Sequence, residues 1–176
     1  SLPADDTYAE GESYKVIVVS TDGSTEVLWG KVVVADGKAT VGVIAAHLST
    51  FVVTDQRAGV FADVAGGAWY ADAVKFVVVQ NLFGGTGGDL FSPDADMTRA
   101  MLAAVLYRLE GKPAVTAGNT FTDVEDGAWY AEAVIWAAEK GIVKGSGEGL
   151  YGTDTPVTRQ ELAVMLFRYA ESKGYD

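Results

Sequence analysis

Two arginines in this 176-residue chain stand where a helix begins: Arg99 directly follows Thr98, and Arg159 directly follows Thr158. A threonine before an apolar, helix-forming run is an N-cap, so the next residue lies in the first turn, among backbone N–H groups without intrahelical acceptors. A cation there is unfavourable by a few tenths of a kcal/mol to about 1 kcal/mol. Its double occurrence asks for a reason. Beside free helix N–H groups a guanidinium completes a site for an anion, and its planar fork suits a carboxylate. The competing account is an ion pair with the nearby Asp94 or Asp154 that ties down a loop. On these residues alone the second account is the stronger.

Other residues invite chemistry less. Gly84-Gly85-Thr86-Gly87-Gly88 and Gly145-Ser146-Gly147 could offer backbone amides to a ligand, or could be turns that need positive φ. Trp69 and Trp129 could stack on sugar faces, but their place on an apolar helical stripe favours core packing. Asp94-x-Asp96 lacks the glycine and distal glutamate of a calcium loop, and Pro156 replaces Asp96 sixty residues on. His47 is the sole histidine, at the end of a β-run, and reads as structural. Arg108 and Arg168 are placed in the last turns of their helices, where a cation is favourable and needs no further function. No triad, nucleotide fingerprint or metal-ligand cluster stands out. No catalytic residue, metal or cofactor is expected.

The elements that must carry these residues repeat. Residues 61–110 align with 121–170 at an offset of 60 without a gap, and about 20 of 50 positions are identical. Each copy reads as helix, glycine loop, helix. Trp129, Ala133, Trp136 and Ala137 share one helical face, as do Trp69, Ala73, Phe76 and Val77. The run Val77-Val78-Val79 alone suggests a strand. Its sister Ala137-Ala138-Glu139 is a better helix former and decides for helix. Thr158-Arg159-Gln160-Glu161 is a capping box, followed by the stripe Leu162, Met165, Leu166 and Tyr169. Met101 replaces the capping glutamate in the first copy, leaving half a box.

Residues 1–57 differ. β-Branched and aromatic runs at 14–20, 26–34, 39–44 and 51–54 are split by Thr21-Asp22-Gly23-Ser24 and Ala35-Asp36-Gly37-Lys38, strong hairpin signals. The fold class is therefore α+β: an antiparallel β-segment of three to four strands (1–57), reading as the end of a larger β-module. Two helix–loop–helix repeats follow (58–117 and 118–176).

The order Phe-x-Asp-Val, Trp, Gly-x-Gly, aromatic, Asp, Thr-Arg and apolar helix resembles the S-layer homology repeat. The family's Thr-Arg-Ala-Glu signature appears as Thr98-Arg99-Ala100-Met101 and Thr158-Arg159-Gln160-Glu161. The resemblance implies a bacterial extracellular module that anchors a larger secreted protein non-covalently at the cell surface. Its implied partner is a secondary cell-wall polysaccharide bearing pyruvylated amino sugar, with the signature arginine on the ketal carboxylate. It also implies three repeats around a pseudo-threefold axis, of which two are visible. With the resemblance counted, the binding account of Arg99 and Arg159 overtakes the loop-tying one. The expected ligand-binding set is Arg99, Arg159, Thr98, Thr158, Gly85, Gly145, Trp69 and Trp129. The alternative is a protein–protein assembly module of a surface protein.

Charge narrows the partners. The net charge is −11, contributed as about −4, −2 and −5 by 1–57, 58–117 and 118–176. So acidic a chain disfavours nucleic acid and anionic lipid, and any anionic polymer must be held locally by placed cations. No apolar run approaches the ~18 residues of a membrane helix, so no membrane insertion is expected. The first residues carry no basic or apolar leader, as in a piece of a longer polypeptide. There is no cysteine. Two repeats should leave part of the stripe holding Trp69, Val77, Trp136 and Leu166 uncovered. Because residues 55–59 look short for the β-segment to fold back, self-association is the expected remedy.

Overall fold

The computed structural model describes residues 2–3, 8–21, 23–36, 38–43, 50–57 and 60–175, with the backbone alone at 2–3 and 55–57. His47 lies outside the described residues. The chain forms two compact units, Ser1–Pro93 and Asp94–Asp176.

In the first unit, strands β1 (Leu2–Pro3), β2 (Ser13–Val19), β3 (Thr25–Ala35), β4 (Lys38–Gly42) and β5 (Thr50–Arg57) form one antiparallel sheet in the order β1-β4-β3-β2-β5. Side chains alternate across it: Tyr14, Val16 and Val18 of β2 are buried, as are Val32 of β3 and Ala39 of β4. Ala35 pairs with Lys38, and Asp36 has φ 51°, the left-handed region that a tight hairpin turn favours. Gly30 of β3 has no room for a Cβ, which would collide with Val41 and Val43. Five strands replace the expected three to four. The extra one, β1, is two residues long and carries no periodicity to read.

Helix α1 (Ala71–Val79) closes this unit. It buries Val74 and Val78, which pack with Phe61, and Trp29 of β3 packs against the same cluster. Lys75 of α1 donates to Glu12 at 2.6 Å. The β-segment therefore does reach the first repeat. These two contacts overturn the expectation that 55–59 is too short a connection for the β-segment to fold back. The expected helical face is also rotated: Ala73, Phe76 and Trp69 are exposed, the last at 94%. Trp69 precedes the first helical residue, so the i, i+4 spacing counted from it has no helix to act on.

The second unit holds α2 (Arg99–Leu109), α3 (Ala131–Glu139) and α4 (Arg159–Lys173). Its core is built from Leu102, Leu106 and Tyr107 of α2, Val134 and Trp136 of α3, and Ile142, Tyr151 and Met165. Tyr107 and Trp136 meet at 5.5 Å between ring centroids. The close helix pair is α2 with α3. That pair joins the end of one repeat to the start of the next, so the packed unit is out of phase with the sequence repeat. In the second repeat Ala133, Trp136 and Ala137 are buried as their spacing predicts, but Trp129 is 61% exposed. It too precedes its helix.

Candidate functional site

Each repeat folds its glycine loop around an aspartate. Asp123 accepts from the N–H groups of Tyr151 and Gly152, both at 2.7 Å. Asp63 does the same for Phe91 at 2.9 Å and Ser92 at 2.7 Å. Donation by Phe91 and then Ser92 holds the Asp63 carboxyl below its ordinary value. Burial pushes Asp123 up, but the donors from Tyr151 and Gly152 outweigh it and hold that group low as well. Within the loop, Ser146 N–H bonds the Leu150 carbonyl at 2.8 Å and Leu150 N–H bonds the Gly147 carbonyl at 2.9 Å. A Cβ on Gly145 would lie 2.6 Å from the Leu150 oxygen, and one on Gly85 would lie 2.6 Å from that of Leu90. Glycine at these two positions serves a close backbone approach. Positive φ is needed at Gly87 and Gly147 instead, at 110° and 116°.

The loop receives Arg99. Its guanidinium donates from Nε to the Tyr151 carbonyl at 3.0 Å, from NH2 to the Lys144 carbonyl at 2.8 Å, and from NH1 to Glu161 at 2.8 Å. The Tyr151 hydroxyl donates back to the Arg99 carbonyl at 2.9 Å, and the guanidinium carbon lies 4.9 Å from the ring centre. Burial pushes the Tyr151 phenol up to about 12. The first N–H groups of α2 are taken too: Arg99 N–H bonds Thr155 O at 2.9 Å and Ala100 N–H bonds Thr153 O at 3.2 Å.

Arg99, 7% exposed, thus clasps the first repeat to the second. Its partner is Glu161, not Asp94 or Asp154. The helix N–H groups expected to be free at Arg99 are not. Neither aspartate expected as a partner is used, and the ion pair of Arg99 is made with a residue 62 positions on.

The two caps match the sequence. The Thr98 hydroxyl accepts from Met101 N–H at 3.2 Å. Thr158 and Glu161 form the full box, with Thr158 N–H on Glu161 at 2.9 Å and Glu161 N–H on Thr158 at 3.3 Å. Glu161 is therefore shared: its Oε2 caps α4 and its Oε1 holds Arg99. The Thr158 hydroxyl, then the Thr158 N–H, and then Arg99 keep its carboxyl below the usual range.

Beside this clasp lies a groove of about 400 Å³, lined by Arg99, Val143, Lys144, Gly145, Ser146, Gln160, Glu161, Val164, Met165 and Arg168. Of the expected binding residues it gathers Arg99 and Gly145. Thr98 and Thr158 cap the two helices, while Arg159 and Trp129 are exposed outside the groove lining. Gly85 and Trp69 belong to the other unit. Two groove cations went unassigned. The sequence places Arg168 in the last turn of its helix, yet α4 runs on to Lys173 and ends at Gly174 with φ 68°. Arg108 does sit in the last turn of its helix. Lys144 has a glycine at the matching position, Gly84, so the repeat gives it no signal.

Residues 60–101 and 120–163 match the S-layer homology domain, and the chain belongs to that family through these two repeats. It is 32% identical over 94 residues to a cellulosome-anchoring protein of Acetivibrio thermocellus, covering 51% of this chain and 21% of that protein. It is 28% identical over 151 residues to an amylopullulanase of Thermoanaerobacterium thermosulfurigenes, covering 86% and 8%. With the surface-layer 125 kDa protein of Lysinibacillus sphaericus it shares 30% over 118 residues, covering 64% and 10%. The chain thus spans between 8% and 21% of the length of these relatives. As an S-layer homology module it is a cell-surface anchoring element, found in relatives that also include enzymes. No helix among the described residues is long and apolar enough to cross a membrane.

Proposed function

We propose that the chain holds a larger secreted protein non-covalently on the bacterial cell wall by seating a carboxylate-bearing sugar of a secondary wall polysaccharide, such as a pyruvylated amino sugar, in the groove beside Arg99. The observation that carries this reading is the pair Lys144 and Arg168, which brings two cations to one concave lining in a chain of net charge −11. With Arg99 committed to three acceptors, the carboxylate falls to these two, while Gln160 and Ser146 offer polar atoms to sugar hydroxyls. Arg99, Gly145 and the caps Thr98 and Thr158 act as positioning residues that fix the loop and the start of α4. The exposed indole of Trp129, set edge-on to Tyr130 at 5.2 Å, offers a stacking face for a neighbouring sugar, and Trp69 on Tyr70 at 5.5 Å repeats the arrangement.

The test compares pyruvylated wall polymer with the same polymer stripped of its ketal. Lys144→Gln with Arg168→Gln should lose at least about tenfold in affinity for the first, as expected when charge-assisted hydrogen bonds are removed. Circular dichroism and melting temperature should stay unchanged. Equal binding of both polymers, or full binding by the double variant, would end this reading.

A further inference from the structure

The groove wall that carries Arg168 is fastened by a carboxylate that lies outside the groove. Among the fifteen residues of α4 only Met165 is buried, whereas α2 buries seven of its eleven. The close helix pair is α2 with α3, so α4 keeps its place chiefly through side chains at its two ends. At its start Glu161 reaches back to Arg99 of α2. At its other end the tie runs the opposite way. Glu110, the C-cap of α2, accepts from the Tyr169 hydroxyl at 2.5 Å on Oε1 and from Lys173 at 2.8 Å on Oε2. Each helix thus lends the other one carboxylate. The second tie has no counterpart in the sequence repeat: Ala170, Leu109 and Pro113 stand sixty residues from Glu110, Tyr169 and Lys173.

The groove supplies a reason for this tie. Arg99, Lys144 and Arg168 share its lining with one carboxylate, Glu161, which already serves Arg99 and the cap of α4. Lys144 and Arg168 make no ion pair among the described residues. Like charges gathered without a counter-charge repel, and Arg168 can yield to that repulsion if the end of α4 lifts. Arg168 stands about two helical turns beyond Glu161 but next to Tyr169. The nearer restraint on its position is therefore Glu110.

We propose that Glu110 is a positioning residue for the groove: by fastening the last turns of α4 to α2, it keeps Arg168 in the lining with Lys144 and so tunes the affinity for a carboxylate-bearing sugar. The role rests on the reading of the groove given above. It adds a residue that touches neither the lining nor the sugar, and it acts by holding a binding group in place before the ligand arrives.

The test uses the full chain well below its melting temperature. It measures affinity for pyruvylated and for stripped wall polymer, and amide hydrogen exchange along residues 166–173. Glu110→Ala removes both acceptors and should weaken binding of the pyruvylated polymer about three- to tenfold, the weight of lost preorganisation. Exchange should quicken by about fivefold or more. Glu110→Gln keeps an acceptor for Tyr169 and should bring both quantities back to within about twofold of the unsubstituted chain. Adding Tyr169→Phe to Glu110→Ala should change either by less than about twofold, since the two residues act as one contact. If the unsubstituted chain prefers the pyruvylated polymer and Glu110→Ala binds it as tightly, the positioning role is overturned while the groove reading stands. Equal binding of both polymers by the unsubstituted chain would end the groove reading and this role with it. Exchange unmoved by Glu110→Ala would sink the tie whatever the polymers do.

Discussion

Arg99 and Arg159 follow the same threonine cap in copies of the same repeat, and one is a buried clasp while the other is exposed. The local contrast, half a capping box at Thr98 and a full one at Thr158, concerns the caps and not the guanidinium groups. The difference is made by what lies sixty residues ahead: for Arg99, a loop with free carbonyls and a glutamate whose second oxygen is spare. A repeat protein gains stability from the interface between neighbours as well as from each unit. The same side chain can therefore be structural in one copy and available in the next.

Substitution at the two positions sharpens this contrast most. Arg99→Ala should destabilise the second unit by about 2–4 kcal/mol, because it strands two carbonyls and removes the bridge to Glu161. Arg99→Lys should recover little, since an ammonium cannot reach three acceptors in the guanidinium's plane. Arg159→Ala should change stability by less than about 0.5 kcal/mol, as for an exposed side chain. Denaturant unfolding of the three variants checks this. Equal losses at 99 and 159 would erase the distinction.

The loop aspartates come next. Asp123→Asn should cost about 1–2 kcal/mol, since its carboxylate ties down two loop N–H groups. Their titration has a definite sign. Asp63, Asp123 and Glu161 all have folded pKa values below the ordinary 3.8 for aspartate and 4.5 for glutamate. The stabilisation they contribute is complete above those ordinary values and is lost as pH falls through the lower, folded ones. Glu110 adds to the effect, held low first by Lys173 and then by Tyr169. The melting temperature should thus be level from neutral pH down to roughly 5 and fall steeply below 4. Asp123→Asn should flatten that fall. A melting temperature that rises on acidification would contradict the assignment.

The strands and helices were legible because they rest on local signals: alternation in 14–20 and 26–34, Asp-Gly turns, threonine caps and a duplicated pattern. The duplication also allowed the better helix former at 137–139 to correct the β-like Val77-Val78-Val79. The site was half legible. Thr-Arg pointed to the right helix starts, and the capping box was read correctly. What stayed hidden was long-range. Glu161 has a local role in the capping box, which masks its second role 62 residues back on Arg99. Asp63 and Asp123 were visible as repeated residues without a stated job. Arg168 was lost to a helix end misplaced by one turn and a half, and Lys144 has no repeat partner to mark it.

Tyr151→Phe probes the clasp more finely. It removes one hydroxyl that donates to the Arg99 carbonyl at 2.9 Å and leaves the ring beneath the guanidinium. The expected loss is about 1 kcal/mol, the usual net value of a neutral hydrogen bond with its acceptor left buried. It also makes the second repeat resemble the first at this position, where Phe91 stands. A neutral result would mean that the hydroxyl contributes nothing to telling the two repeats apart.

The smallest expected effect on stability falls on the two exposed tryptophans, and there the two regions should agree. Trp69 and Trp129 sit just before α1 and α3, and each touches a tyrosine edge-on. An aromatic pair contributes about 0.5–1.5 kcal/mol beyond burial when both rings are enclosed. Here one ring of each pair stands mostly in solvent, at 94% and 61% exposed, so each Trp→Ala change should cost less than about 0.5 kcal/mol. An exposed indole has no stability reason to recur at the same place in both copies. If the proposed sugar contact explains its recurrence, Trp129→Ala should weaken binding of wall polymer several-fold at unchanged melting temperature, the expected weight of one stacking contact. Titration of polymer against the two single variants measures it. A Trp129→Ala chain that binds in full but melts several degrees lower would return the residue to packing, and the sugar-facing role would then rest on the groove cations alone.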